Sequence, residues 1–596
     1  MLAHRTILAK AETFSIYATA SCGLPQGGGL SPILWSLVAD SLLKWLSKQG
    51  VFAQGFADDG AVLICGRILS TICDIMQRVL YGIQQWCVDR KLSVNPSKTE
   101  MVLFTRRYKP EKLKTITFFN NVLVTSDQVK YLGVILDAKL SWKQQVEAKC
   151  KKALALMCQL RRVTGVTWGM TPKTVFWLYT TIIRPYISYA VVVWWPRVNL
   201  KTVNNQFEHI QRLACLYITG AMRTTPTAAL EIIVGLSPLP VYIRQEAMMA
   251  CYRLLLNAQW MQANCGHMRI KTDLMINAPS SAMRSDKILP RFYFDKNYEV
   301  HIPTRDDWNE SRVNLNDETV CFTDGSRINN TDQAGAGIYN QTDCEEYYYP
   351  LGCRCSVFQA EIYAILQCAR LHSLRCRNSV SVAICSDSQA ALKALITPKV
   401  SSALVAETVC ALKELSVHNS VRLVWTPGHC GILGNEAADG LSRQASAIKY
   451  TGLEPVLGVT SPTVRNELQL WASREQWKQW REATKYRQAK QLLRQANLSY
   501  TKYALRLCRT DLRILVGLLT GHADLNRHLT LMQIRTDTVC PLCQEDEETV
   551  LHLLGECSAL VVKRANILGS PYLCYEELGK MHWRALLRLA KASQRF

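Results

Sequence analysis

Between Cys321 and Arg443 three short apolar runs each stop at a turn of polar residues, and acids stand where a folded chain would bury them. Val320-Cys321-Phe322-Thr323-Asp324-Gly325-Ser326 reads as a strand ending in an acid and a glycine, so Asp324 falls at the carboxyl end of a sheet, where ligand sites concentrate. In the stretch Ser356 to Leu366 apolar residues recur at helical spacing. Glu361 lies one turn from both Val357 and Ile365, so a carboxylate sits on the buried stripe and needs a partner. Val380 to Cys385 is a second strand, delivering Ser386-Asp387-Ser388 to the start of another helix. A third, Val421 to Trp425, leads through Thr426-Pro427-Gly428-His429, Gly431 and Gly434 into the helix start Asn435-Glu436-Ala437-Ala438-Asp439. A fold that accommodates these segments brings Asp324, Glu361, Asp387 and Asp439 together.

Four gathered carboxylates repel one another and take up protons unless a cation offsets them. Hard oxygen ligands suit Mg2+, and two such ions roughly 3.5–4 Å apart are the common arrangement in nucleases. Thr323-Asp324-Gly325-Ser326, Ala360-Glu361, Ser386-Asp387-Ser388 and Gly428-His429-Cys430-Gly431 through Gly434-Asn435-Glu436-Ala437-Ala438-Asp439 resemble, in order and internal spacing, type 1 ribonuclease H. The resemblance implies a mixed sheet with flanking helices over 318–447. It also implies two Mg2+ ions held by Asp324, Glu361, Asp387 and Asp439, with His429 on a flexible loop moving protons or helping product leave. Integrase-like nucleases share such a fold and use acids, but lack the His-Gly-Asn-Glu-Asp segment.

The 596 residues suffice for several domains, and 48% apolar residues are ample for folded cores, which excludes a disordered chain. Seventy Lys and Arg against 48 Asp and Glu leave a net charge of +22, which fits a polyanion partner such as nucleic acid or an anionic membrane surface, and composition alone does not choose between them. Twenty-three scattered cysteines without a signal peptide fit free thiols in a reducing compartment, so the expected location is intracellular, nucleus or cytoplasm. Val175 to Trp195 is the one stretch with membrane-like composition. Arg184-Pro185 interrupts it, and it reads as a buried helical region with no membrane partner.

A second constellation occupies the first 140 residues. Leu24-Pro25-Gln26-Gly27-Gly28-Gly29-Leu30-Ser31-Pro32 is a glycine-rich loop entering an apolar helix, and Gly55-Phe56-Ala57-Asp58-Asp59-Gly60 sets two adjacent acids at a hairpin turn. Leu92-Ser93-Val94-Asn95-Pro96-Ser97-Lys98 and Tyr131-Leu132-Gly133-Val134 follow. The ordered set resembles the later palm motifs of non-long-terminal-repeat retrotransposon reverse transcriptases. It implies template and nucleotide contacts at Pro25 to Gly29, metal binding at Asp58 and Asp59, and a nucleotide-proximal Lys98. The only earlier acids are Glu12 and Asp40, and neither ends a palm strand as that family requires. The expectation is therefore a partial, N-terminally truncated palm (1–139) that does not polymerise DNA on its own.

Residues 140–256 alternate apolar and basic positions at helical spacing and correspond to the thumb in the same resemblance, and 257–317 show no sustained periodicity, as in a connection. Over 460–535 basic residues mix with Trp471, Trp477, Trp480, Tyr486, Tyr500 and Tyr503 on a helical pattern, which suits either a surface that tracks phosphates and stacks bases or a solvated helix burying its aromatics. In the tail, 536–596, Cys540, Cys543, His552 and Cys557 have the spacing of a closed structural Zn2+ site, and the same retroelement family often ends in a similar knuckle. The whole reads as a multidomain α/β chain whose expected activity is Mg2+-dependent hydrolysis of the RNA strand in RNA–DNA hybrids, with element RNA as a further partner. A catalytically silent nucleic-acid binder derived from such an element would share the basic surface and differ in metal-dependent cleavage.

Overall fold

The computed structural model describes residues 5–596 except 12–13, 21–22, 24, 26, 109–111, 261–267, 311, 316–317, 329–331, 376–378, 485 and 495–497. It divides into two compact units, Met1–Gln145 and Val146–Phe596, so the break falls in the helix Lys143–Arg162.

In the first unit the helices Ser31–Lys48 and Leu69–Asp89 share a core of Leu46, Val51, Cys73, Leu80, Ile83 and Phe118. Among the described residues its strands pair only as two-stranded antiparallel hairpins, such as Phe52–Phe56 with Asp59–Leu63 and Gln128–Tyr131 with Val134–Asp137. Leu132 and Gly133 turn the latter with φ of 46° and 77°, a left-handed pair that glycine makes affordable at its second position. A continuous palm sheet is therefore not formed among the described residues.

In the second unit Val175 to Trp195 breaks into short helical pieces whose Val175, Tyr179, Ile183, Ile187, Val191 and Trp194 are all buried. Arg184 sits among them, donating to the Ser237 carbonyl at 2.5 Å and to Gln211 Oε1 at 3.2 Å. Those partners explain how a cation lies in a protein core. No single helix among the described residues is long and apolar enough to cross a membrane.

The nuclease-like region is built on a six-stranded sheet. In chain order its strands are β1 (Glu299–His301), β2 (Thr319–Arg327), β3 (Ala334–Asn340), β4 (Glu345–Gly352), β5 (Ser381–Ser386) and β6 (Ser420–Trp425). Their spatial order is β1-β6-β5-β2-β3-β4, with β1, β6, β5 and β2 mutually parallel, β3 antiparallel to β2 and β4 antiparallel to β3. The helices Val357–Leu374 and Ala403–Leu415 cover one face, with Ile362, Ile365, Ala369, Val409 and Leu412 against Ile338, Ile384 and Leu423. The helix Leu433–Ala447 lies on the other face. It approaches closely because β3 carries glycines there: a Cβ on Gly337 would stand 2.4 Å from the Ala438 carbonyl oxygen.

The segment 257–317 is more than a connection. Besides β1 it contributes the strand Lys287–Phe292, paired with Lys399–Ser402, and the buried Asp286, whose carboxylate accepts from Leu404 N and Ser402 Oγ at the start of the helix Ala403–Leu415. Three residues of β1 are too few to show a strand's alternation in sequence. The helices of the tail pack on the helix Arg509–Thr520, with Leu512, Leu515 and Leu518 of that helix and Leu553, Leu586 and Leu589 of the tail all buried.

Candidate active site and metal centres

Strand geometry places the first two aspartates. Asp324 lies on β2 and Asp387 follows the last residue of the neighbouring parallel β5, with Thr323 opposite Ser386 in register. The two acids therefore lie side by side where β2 and β5 part, although β2 does not end at Asp324 as its sequence suggests but runs on to Arg327, paired with β3. The helix Val357–Leu374 begins at a capping box, with Ser356 Oγ accepting from Gln359 N and Gln359 Oε1 accepting from Ser356 N, and its second turn carries Glu361 toward β2. Gly325 makes that approach feasible, since a Cβ there would meet Glu361 N at 2.4 Å. One ligand oxygen each from Asp324, Glu361 and Asp387 falls within 4.8 Å of the others.

Asp324 and Glu361 are buried, with 6% and 5% exposure. Burial, reinforced by Asp387 and Asp439, pushes the Asp324 carboxyl up to about 6 even though Ser442 Oγ donates to it. Burial and the charges of Asp324 and Asp387 push Glu361 well above the usual carboxylate range, against hydrogen bonds from Gly325 and Ser386. Glu361 Oε2 is buried without a hydrogen-bond partner. Asp387 is raised by burial and by Asp439, and His429 acts in the opposite sense. Three acids that resist ionising together, with one oxygen unpartnered, fit a hard divalent cation.

Asp439 and His429 form an adjoining group with Glu436, whose ligand atoms also lie within 4.8 Å of one another. Asp439 pairs with Arg443 at 2.8 Å, one turn along the helix Leu433–Ala447. His429 is exposed, with φ 55°, on the loop after β6. Its neighbour Gly428 lies over Asp387, where a Cβ would come within 2.7 Å of Oδ2. All five residues proposed from the sequence thus stand at one end of the sheet.

Sequence reasoning missed the residues that hold these groups in place. Ser442 donates to Asp324, Trp425 Nε1 donates to the Asp387 carbonyl at 3.0 Å, and buried Thr426 Oγ1 bonds Asn435 Oδ1 at 3.0 Å, tying the loop after β6 to the last helix. Ser442 follows Asp439 by one helical turn, so helical spacing was the available signal.

The first-unit residues do not assemble in this way. Asp58 lies in a tight turn whose Ala57 carbonyl accepts from Trp35 Nε1 at 2.5 Å, and Asp59 opens the return strand. Both are exposed, and among the described residues no third metal-suitable side chain joins them. The Pro25 carbonyl accepts from Gly28 N and Ser31 Oγ, which folds the glycine loop onto the helix entry, while Leu24 and Gln26 lie outside the described residues, as does Glu12. Lys98 is exposed at the end of a short turn capped by Asn95.

In the tail, Cys540, Cys543, His552 and Cys557 present ligand atoms within 4.8 Å of one another, with Cys543 Sγ 3.3 Å from His552 Nε2. Burial works to raise Cys543, but the Glu545 and Asp546 N–H groups and the thiols of Cys540 and Cys557 outweigh it and draw it below its ordinary value. The donor set is that of a closed tetrahedral zinc site. A different group, Cys321, Cys368 and His372, is buried under the six-stranded sheet with Cys321 Sγ 3.0 Å from His372 Nε2.

A family model described as Reverse transcriptase (RNA-dependent DNA polymerase) matches residues 6–136, and one described as RNase H matches residues 316–447. The chain is 24% identical over 231 residues to the Retrovirus-related Pol polyprotein from type-1 retrotransposable element R1 of Bradysia coprophila, covering 39% of this chain and 23% of that protein. It is 23% identical over 223 residues to the corresponding R1 polyprotein of Nasonia vitripennis, covering 36% of this chain and 65% of that one. The chain thus matches less than two thirds of the length of either relative. Among solved structures, the N-terminal RNase H domain of a Mycobacterium tuberculosis protein fused to maltose-binding protein is 19% identical with a TM-score of 0.18, covering 22% of this chain and 98% of that one.

Proposed function

We propose that this chain, which is homologous to the Pol polyproteins of non-LTR retrotransposons and carries reverse transcriptase and RNase H domains, cuts the RNA strand of RNA–DNA hybrids endonucleolytically. The observation that carries the reading is the meeting of Asp324, Glu361 and Asp387 at the sheet's carboxyl end, with a buried, unpartnered carboxylate oxygen on Glu361. These three and Asp439 would hold Mg2+, which when bound activates water and offsets charge on the scissile phosphate. Ser442 orients Asp324, the Trp425–Asp387 and Thr426–Asn435 hydrogen bonds fix the neighbouring loops, and Arg443 orients Asp439. His429, exposed beside Asp387, moves a proton at the rim of the site or helps product leave. The four soft ligands of the tail would hold a structural Zn2+. Such a substrate would be met inside the cell, in the nucleus or cytoplasm.

The test is cleavage of a labelled RNA–DNA hybrid by purified chain with and without Mg2+. The reading expects RNA fragments in the presence of the metal alone. Salt-sensitive binding without product in either condition would instead identify a catalytically silent binder.

Asp58 and Asp59, without a third acid beside them among the described residues, do not support nucleotidyl transfer by this chain.

A further inference from the structure

Four aromatic residues of the basic helical region fall into two pairs. Trp480 is buried, stacked on Tyr486 at 5.9 Å with rings 6° apart, and donates to the Leu493 carbonyl, so this pair serves packing. Tyr500 and Tyr503, on the helix Leu498–Arg506, instead meet the start of the helix Trp583–Ala592 near the end of the chain. Tyr500 stacks on Trp583 at 4.9 Å, and Tyr503 meets the His582 ring edge-on at 5.6 Å. There the surface opens into a cavity of about 420 Å3 lined by Tyr503, His582, Arg584, Ala585 and Arg588.

Among the described residues no acid lines this cavity. Arg584 and Arg588 are one turn apart on the same exposed face, and Arg584 lies over the Tyr503 ring with its guanidinium carbon 5.8 Å from the centroid. The nearby Asp511 is engaged by Lys591 at 2.8 Å. His582 Nδ1 accepts from Arg584 N at 3.1 Å, so the neutral ring carries its proton on Nε2 as a further donor. Two guanidinium forks, a ring donor and a tyrosine face in one open cavity suit a phosphodiester beside an unpaired base. A rigid duplex hides its base faces and offers only phosphates to such a cavity.

We propose that this cavity binds a single-stranded segment of nucleic acid, with Arg584 and Arg588 on a backbone phosphate and Tyr503 against a base. The site uses elements from both sides of the Cys540–Cys557 cluster, so it exists only when the tail is folded onto the helices before it. It is independent of the nuclease site, which lies on other elements.

The test measures binding of the full chain to fluorescent single-stranded RNA, single-stranded DNA and duplex DNA of equal length by anisotropy at several salt concentrations. Arg588→Glu and Tyr503→Ala are expected to weaken single-strand binding about tenfold, with Tyr503→Phe close to the parent. Arg588→Ala should flatten the salt dependence by roughly 0.7 in log–log slope, as expected for one lost phosphate contact. Lys478→Glu, an exposed charge reversal elsewhere in the basic region, should change binding less than about twofold, and hybrid cleavage at saturating substrate should persist in all variants. Equal losses for Arg588→Glu and Lys478→Glu would show diffuse attraction to a basic protein and overturn the proposal. Loss with the arginine variants but none with Tyr503→Ala, or equal effects on duplex and single strand, would reduce the cavity to a phosphate site and overturn the base contact. Melting curves of each variant separate these outcomes from misfolding.

Discussion

Asp387→Asn keeps the shape of the side chain and removes one charge from the proposed cage, so it is expected to lower hybrid cleavage on the order of a thousandfold with an unchanged melting temperature. His429→Ala should cost at most about a hundredfold, since a proton carrier assists a reaction that the metal site still supports; equal losses for the two would remove the distinction between their roles. A second expectation concerns pH. Asp324 has an ordinary value of 3.8 and about 6 in the folded protein, so the folded state binds the proton more tightly than the unfolded chain. Metal-free stability is therefore full below about pH 4 and declines as pH rises through about 6, by about 3 kcal/mol from this group. Melting of chelated protein should be higher at pH 5 than at pH 7.5, and Mg2+ should restore the loss at pH 7.5; a flat profile would mean that the carboxylates are already compensated. At this scale the acids were legible because an acid at the end of an apolar run, or on the buried stripe of a helix, is chemically out of place. Ser442 was not, because a serine on a helix is unremarkable until the carboxylate it serves is seen above it.

The helix that carries Asp439 owes its position to the lack of side chains beneath it. Gly337→Val would drive a branched side chain into the Ala438 carbonyl, so it should destabilise the protein by roughly 1–3 kcal/mol and lower cleavage further than the remaining folded fraction explains. Proportionate losses would show that the helix tolerates the shift. In the tail, Cys540, Cys543, His552 and Cys557 should bind one Zn2+ per chain under reducing conditions, and removing it should melt the local turns while sparing the nuclease; metal analysis of the purified protein decides this. The strands β2, β5 and β6 could be read from their apolar runs. The strand β1 could not, nor could the pairing of Lys287–Phe292 with Lys399–Ser402, because segments so short owe their conformation to the edges they meet rather than to their own pattern.

For the whole molecule, the chain is expected to show no primer extension on an RNA template, because the Asp58–Asp59 turn stands without a third acid among the described residues. Extension that disappears with Asp58→Asn would refute this. The reach of the six-stranded domain beyond its clustered carboxylates has a different consequence. Tyr298 joins its core, Trp308 donates to the Trp425 carbonyl, the Gly458 carbonyl accepts from Gln359, and Glu467 pairs with Arg354 at 3.1 Å. A cassette cut at 316 and 447 and transplanted into another chain would bring the chemistry but leave β6 as a bare edge, open to pairing with a second copy. Exchange of this domain between chains would thus preserve its fold only with breakpoints outside about 280 and 467, where Ser280 and Glu467 both accept from Arg354.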